Sequence, residues 1–254
     1  MEESERSVVC KFCQTRKIEK KVDFICTTTQ DHIKISSQIM ATRCTFVRHG
    51  ETLWNREGIY QGQLDKPGCQ LTEQGLNEAT ALGKRFASET IPCRNFTSIL
   101  SSDLGRAMST ANNINAEMSG LHLTVATDVR LRERSFGVFE GKTRVEVDKV
   151  IGSSSSSGGV DVEGAETANQ VQARAVECVE EIVRGNVGGN VLVVAHGGTI
   201  SLLLMYFLGI SDQGGGANFE IKNTSVSVVD IWPKESGPGV DALVVTMGDV
   251  AHLM

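Results

Sequence analysis

Val191-Leu192-Val193-Val194-Ala195-His196-Gly197 is an unbroken apolar run that stops at a histidine and a glycine. Such a run, without alternation, is what a strand buried on both faces shows, as in a parallel sheet covered by helices. A shorter β-rich run, Thr45-Phe46-Val47, stops the same way at Arg48-His49-Gly50. Around these two runs the period changes repeatedly between strand and helix. Leu71 to Ser88 reads as a helix with Thr72 as N-cap and Leu76, Ala79, Leu82 and Phe86 on one face. Phe96 to Leu100 reads as a strand, about Asp103 to Met118 as a helix, and Leu121 to Val125 as extended. Thr167 to Arg184 is a helix that turns Val171, Ala175, Cys178 and Ile182 inward, and Ile200 to Leu208 is a buried one. Ser225 to Ile231 and Ala242 to Thr246 are strands on either side of a Pro/Gly-rich loop. Strands alternating with helices predict a three-layer α/β/α sandwich with a mostly parallel central sheet. Ligands of such sheets sit just beyond the carboxyl ends of the strands. Two central parallel strands would therefore bring His49 and His196 to one edge.

The 254 residues, about 40% of them apolar, suffice for one large domain. A cleaner pattern begins at Met40, so the domain is expected over residues 41–254. Residues 1–40 then form an N-terminal extension, either an arm without fixed structure or the product of a start codon placed too far upstream. The net charge of −6 and the few aromatic residues argue against a nucleic-acid partner. No stretch approaches the ~20 apolar residues that span a bilayer, and the acidic N-terminal segment lacks a signal-peptide core. A cytoplasmic protein with no membrane partner is expected. Its seven cysteines are an odd set without framework spacing, which fits free thiols. Cys10 and Cys13 alone stand at zinc-ligand spacing, and nothing completes four ligands, so no metal is expected.

At the end of the first run, a histidine can act as nucleophile when one ring nitrogen is neutral and the other is held by a hydrogen bond. Arg48 offers a fork of donors for phosphoryl oxygens, and Gly50 would let the backbone approach a phosphate closely. Asn55 follows within reach, then Gln61-Gly62-Gln63-Leu64-Asp65. Ser101-Ser102-Asp103-Leu104-Gly105-Arg106 takes a strand into a helix N-terminus, where free N–H groups favour an anion. Leu131-Arg132-Glu133-Arg134-Ser135-Phe136-Gly137 offers Glu133 as a proton donor. No two-metal carboxylate cluster and no G-x-x-x-x-G-K-[ST] loop is present.

In this order the strings resemble the histidine phosphatase superfamily, its phosphoglycerate mutase-like branch, over about Thr42 to Leu253. The tail from Asn223 to Val228, with Gly248 to Leu253, is similar to small plant- and alga-type phosphatases of that branch. The resemblance implies that His49 is the phosphorylated nucleophile and that Arg48, Arg106 and His196 hold the phosphoryl, with Asn55 as a further contact. It implies Glu133 as the acid that protonates the leaving oxygen, and Gln61 and Gly62 as substrate contacts. His122 and His252 match no catalytic position. No cofactor is implied, and the partner is a small phosphorylated metabolite.

Three functions stay open: a phosphomonoesterase, a mutase that returns the phosphoryl to the substrate, and a phospho-ligand-binding protein with vestigial catalysis. Family mutases carry a longer insertion after the Glu-containing motif, and the stretch from Gly141 to Glu166 is short, so hydrolysis is expected. Arg56, Arg132 and Arg134, with Gln61, are candidates to meet a substrate carboxylate. The oligomeric state is not legible. Asn223-Thr224-Ser225 fits a glycosylation acceptor, which is expected to mean nothing in a cytosolic chain.

Overall fold

A computed structural model describes residues 40–88, 95–121, 123–151, 162–210, 219–235 and 237–254. Residues 1–39 of the N-terminal extension, with Cys10 and Cys13, His122 and the Ser/Gly tract from Ser153 to Gly159 lie outside them.

Among the described residues, six strands make one sheet in the order β3-β2-β4-β1-β5-β6. They are β1 (Thr42–Arg48), β2 (Ser98–Ser101), β3 (Val125–Thr127), β4 (Asn190–Ala195), β5 (Val226–Pro233) and β6 (Val240–Asp249). β3, β2, β4 and β1 run parallel, and β5 and β6 add antiparallel pairings at one side. The helices are α1 (Leu53–Glu57), α2 (Glu73–Ala87), α3 (Gly105–Glu117), α4 (Arg144–Ile151), α5 (Ala168–Gly185) and α6 (Gly197–Phe207).

The two-residue period of the central strands divides the core between two helical layers. Cys44, Phe46, Val191, Val193 and Ala195 face α5 and α6, through Ala175, Cys178, Ile182, Ile200 and Leu204. Val47, Leu192 and Val194 face α2 and α3, through Ala79, Leu82, Phe86, Ala107 and Ile114. The outcome is the expected α/β/α sandwich. Each fully buried Leu or Phe contributes about 1.5–3 kcal/mol relative to an exposed one, so the strand ends stand on a rigid platform. The described cysteines Cys44, Cys69 and Cys178 are free and buried. No described helix is long and apolar enough to cross a membrane.

Two local expectations are corrected. Leu76 is 38% exposed, because the buried face of α2 is set by Gly75, Glu78, Ala79, Leu82, Gly83 and Phe86. Gly75 packs against the backbone of Glu51, and the next residue is thereby turned to the rim. The extended segment expected over 121–125 is displaced: Ser119–Leu121 is a 3₁₀ turn and pairing with β2 begins at Val125, opposite Ile99.

Candidate active site

β1 and β4 are neighbours in register, with Arg48 opposite Ala195, and the N–H of His49 donates to the Ala195 carbonyl at 3.0 Å. One residue further along each strand, the rings of His49 and His196 meet with centroids 5.2 Å apart. The end of β2 joins them, since Ser102 N–H donates to the Val194 carbonyl at 2.9 Å.

His49 Nδ1 lies 2.8 Å from the carbonyl of Gly50. A carbonyl only accepts, so Nδ1 carries the proton and Nε2 keeps its lone pair. Burial holds the pKa of His49 well below its ordinary 6.5, and repulsion from Arg106 and Arg48 pushes it the same way. The ring is therefore neutral at neutral pH. Burial, with Arg106 and His49 itself, likewise holds His196 well below 6.5. Its Nε2 lies 2.8 Å from Ser102 Oγ, an oxygen that also accepts the Leu104 N–H. A Ser102 hydroxyl donating to Nε2 satisfies all three groups, and Nδ1, buried and without a partner among the described residues, then carries the proton.

Arg106 is 1% exposed, an exceptional burial for a first-turn arginine. It donates to the carbonyls of Gly62 at 2.7 Å and Leu64 at 3.1 Å, while its Nε has no partner among the described residues. Gly62 stands at φ +52°, a conformation that favours glycine, and a Cβ there would overlap the Glu140 carboxylate. Arg48 donates to the Ile221 carbonyl at 2.6 Å and also keeps a buried Nε without a partner among the described residues. Burial lowers the pKa of both guanidiniums while Glu133 opposes the shift, and arginine stays charged regardless.

Thr52 and Asn55 form a capping box that starts α1. Asn55 Oδ1 accepts from Thr52 N–H at 3.2 Å and from Asn223 Nδ2 at 3.2 Å, which turns the Asn55 amide nitrogen the other way. Glu133 is held by two backbone donors, Arg134 N–H at 2.9 Å and Gly198 N–H at 3.1 Å, the second at the start of α6. Its loop is clamped by Arg174, which donates to the carbonyls of Arg130, Arg132 and Glu133 and pairs with Glu166. Arg48, His49, Asn55, Gln61, Gly62, Arg106 and Glu133 line one cavity of about 140 Å³, walled further by Ile59, Tyr60 and Phe136. Gln61 is buried, and its Oε1 has no partner among the described residues.

Other expectations change. Gly50 is required by packing as well: a Cβ there would lie 2.5 Å from the Gly75 carbonyl oxygen. The start of α3 already holds an anion, because Asp65 accepts the Gly105 N–H at 3.1 Å. Arg132 is paired with Asp103 at 2.7 and 2.5 Å, and Arg56 is committed to Glu51. Arg134 lies over the Phe136 ring at 5.9 Å. His252 is half-buried against Thr224, 2.9 Å from its hydroxyl. Among the described residues no three His, Cys, Asp or Glu side chains are grouped to hold a metal ion. The sequence assigns no part in the site to Ser102, Asn223, Thr224, Glu166 and Arg174, because each acts across chain distances that carry no local spacing.

Sequence comparison agrees with this arrangement. The profile of the histidine phosphatase superfamily (branch 1) matches residues 44–241. The metal-independent phosphoserine phosphatase of Arabidopsis thaliana is 30% identical, over 88% of this chain and 87% of the relative. A Yersinia pestis protein named "Probable phosphoglycerate mutase GpmB" is 33% identical, over 82% of this chain and 93% of the relative. Among solved structures, Bacillus stearothermophilus YhfR superposes with a TM-score of 0.68 at 31% identity, over 84% of this chain and all of that one. The chain belongs to the histidine phosphatase superfamily, in its phosphoglycerate mutase-like branch. Its class is that of the phosphatase-type, phosphoryl-transferring enzymes.

Proposed function

We propose that the chain is a metal-independent phosphomonoesterase of small phosphorylated metabolites, working through a phosphohistidine at His49. The observation that carries the reading is the bond from His49 Nδ1 to the Gly50 carbonyl. It leaves a neutral Nε2 lone pair among cationic donors.

Nε2 attacks phosphorus, the ester P–O bond breaks, and its electrons leave with the alkoxide oxygen, which takes a proton from Glu133. Water then attacks the phosphohistidine, and the Glu133 carboxylate takes the proton from that water. The N–P bond breaks and restores His49. Phosphoryl transfer asks mainly for positioning and for donors on the equatorial oxygens. Arg48, Arg106, the Asn55 amide and His196 Nδ1–H supply those donors, a set that replaces the charge a metal ion would bring. Glu133→Gln keeps the shape but not the proton, so it slows leaving-group departure above all.

The Arabidopsis relative, named a phosphoserine phosphatase, supports hydrolysis of a small phosphorylated acid. The mutase name of the Yersinia relative keeps phosphoryl return as the second reading. The cavity suits a substrate of metabolite size. Soluble cytoplasmic action and the roles of the individual residues are part of the same proposal.

The test is turnover of a panel of phosphorylated metabolites in excess chelator, with products separated into free phosphate and isomerised ester. Hydrolysis without added metal, lost in His49→Ala together with an acid-labile phosphoenzyme, is expected. Near-wild-type turnover by His49→Ala would sink the mechanism, and chelator sensitivity would remove the metal-free part.

A further inference from the structure

A tight turn ahead of β5 underlies the cavity, and nothing in the chemistry above uses it. Ser225 N–H donates to the Lys222 carbonyl at 3.1 Å, and Thr224 within the turn has φ +51°. That conformation is uncommon for a β-branched residue and persists only where surroundings enforce it. Here they do. Thr224 is fully buried, its N–H donates to the Arg48 carbonyl at 3.0 Å, and its hydroxyl donates to the Asn223 carbonyl at 2.8 Å. That leaves the hydroxyl oxygen to accept from His252 Nε2 at 2.9 Å.

The turn delivers one side chain to the site. Asn223 Nδ2 donates to the His49 carbonyl at 2.9 Å and to Asn55 Oδ1 at 3.2 Å. The orientation of this carboxamide follows from its partner, since a backbone carbonyl can only accept. Asn55 Oδ1 is thereby held from two sides, by Asn223 and by the N–H and hydroxyl of Thr52, and only its NH₂ remains for the cavity it lines.

We infer that Asn223 is a positioning residue: it fixes the Asn55 carboxamide with its donors toward the phosphoryl group and anchors the backbone of His49. The inference rests on the reading of His49 as phosphoryl acceptor, and it adds a residue outside the cavity lining to that machinery. It also gives the strained turn a purpose, since relaxing Thr224 would withdraw Asn223.

Asn223→Asp is nearly isosteric but puts an acceptor where two acceptors already face it. Asn55 should then either swing away from the introduced carboxylate or turn its NH₂ toward it at the expense of the Thr52 N–H bond, and either change takes its donors out of their place in the cavity. The experiment measures kcat/KM for a phosphomonoester, and orthovanadate affinity by calorimetry, in wild type, N223D, N55A and the double variant. Each single substitution is expected to cost on the order of ten- to a hundredfold in kcat/KM, with a parallel loss for vanadate. The double variant should be no worse than the poorer single. Losses that multiply in full, or wild-type values in N223D, would overturn the inference.

If N223D does not fold, Asn223→Ser, too short to reach Asn55, is expected to show the same coupling, and full multiplication there overturns the inference equally. The carboxamide resonances of Asn55, assigned by their absence in N55A, give a readout independent of turnover. They should shift in N223D, and unchanged resonances would count against positioning. Shifted resonances in a protein whose His49→Ala variant stays active would leave positioning standing and remove only the catalytic reading.

Discussion

The ends of β1 and β4 are near-copies in sequence, Val47-Arg48-His49-Gly50 and Val194-Ala195-His196-Gly197, yet they are wired in opposite senses. At His49 the bond runs from Nδ1 to the adjacent Gly50 carbonyl, and Nε2 has no partner among the described residues. At His196 the bond goes to Nε2, from Ser102 just past the end of β2, and Nδ1 has no partner among the described residues. A carbonyl partner forces a proton onto the ring nitrogen it faces, so the free nitrogen of His49 is a lone pair. A hydroxyl partner can donate, so the free nitrogen of His196 can be an N–H. On the proposed mechanism, the same string yields a nucleophile at one strand end and a donor at the other. The local bond is built into the chain at His49; the distant one at His196 exists only after β2 and β4 have paired.

The widest test of this contrast removes each ring in turn. His49→Ala should lose all measurable turnover and the phosphoenzyme with it. His196→Ala should keep the nucleophile and lose one preorganised donor, a cost on the order of 10²–10³ in kcat. A phosphoenzyme that still forms slowly in His196→Ala, and never in His49→Ala, is the expected result. Equal and complete loss in both would erase the distinction drawn from the two bonds.

Titration probes the feature the two rings share. Unfolded, each takes up a proton near 6.5; folded, burial and the two guanidiniums delay this to well below that value. His252 behaves alike, with burial lowering it to about 4. Between the unfolded and folded values the unfolded chain binds more protons, so stability is full above 6.5 and falls as pH falls through that window. The acid limb of kcat/KM for His49 should likewise lie below 6.5. Denaturation midpoints and rate profiles from neutral to acid pH check both signs, and an acid limb at or above 6.5 would contradict a buried neutral nucleophile.

How much of this was legible beforehand follows the same divide. The fold could be read because burial on both faces of β4 and the helical period of α5 are written in consecutive residues. His49, His196, Arg106 and Glu133 could be marked because each stands in a recognisable string. Gly50 carries a packing requirement that the sequence does not show, since its close neighbour is the Gly75 backbone, on a helix whose approach no spacing reveals. Arg132 drew attention as a free cation, yet Asp103 neutralises it across the gap between β2 and the Glu133 loop. Ser102 stood in plain view beside Arg106, but only the β2–β4 pairing says that it faces His196.

The glycines after His196 sharpen the contrast at the next level. A Cβ on Gly198 would come within 2.5 Å of Glu133 Oε1, the far end of a flexible side chain. The fold can yield there cheaply, but the proposed acid cannot keep its place. Gly198→Ala should therefore lower kcat about ten- to a hundredfold with little change in melting temperature. In a Glu133→Gln background the same substitution should cost far less. A large fall in stability instead would mean that this glycine serves packing, as Gly50 does.

The smallest expected effect lies at Ser102, and it bears most directly on the two wirings. Removing its hydroxyl leaves His196 Nε2 without a partner and frees the ring to carry its proton on either nitrogen. The donor at Nδ1 is then present only part of the time. An ordinary hydrogen bond contributes about 0.5–1.5 kcal/mol, so Ser102→Ala should lower kcat roughly two- to tenfold. Ser102 Oγ also accepts the buried Leu104 N–H, so a modest loss of stability accompanies the change. Stability alone cannot separate the two consequences, but combination with His196→Ala can. Once the ring is gone the hydroxyl has no tautomer to select, and the double variant should match His196→Ala in rate while keeping the stability loss. A rate penalty from Ser102→Ala that persists undiminished without His196 would mean that the serine acts through the start of α3 and Arg106.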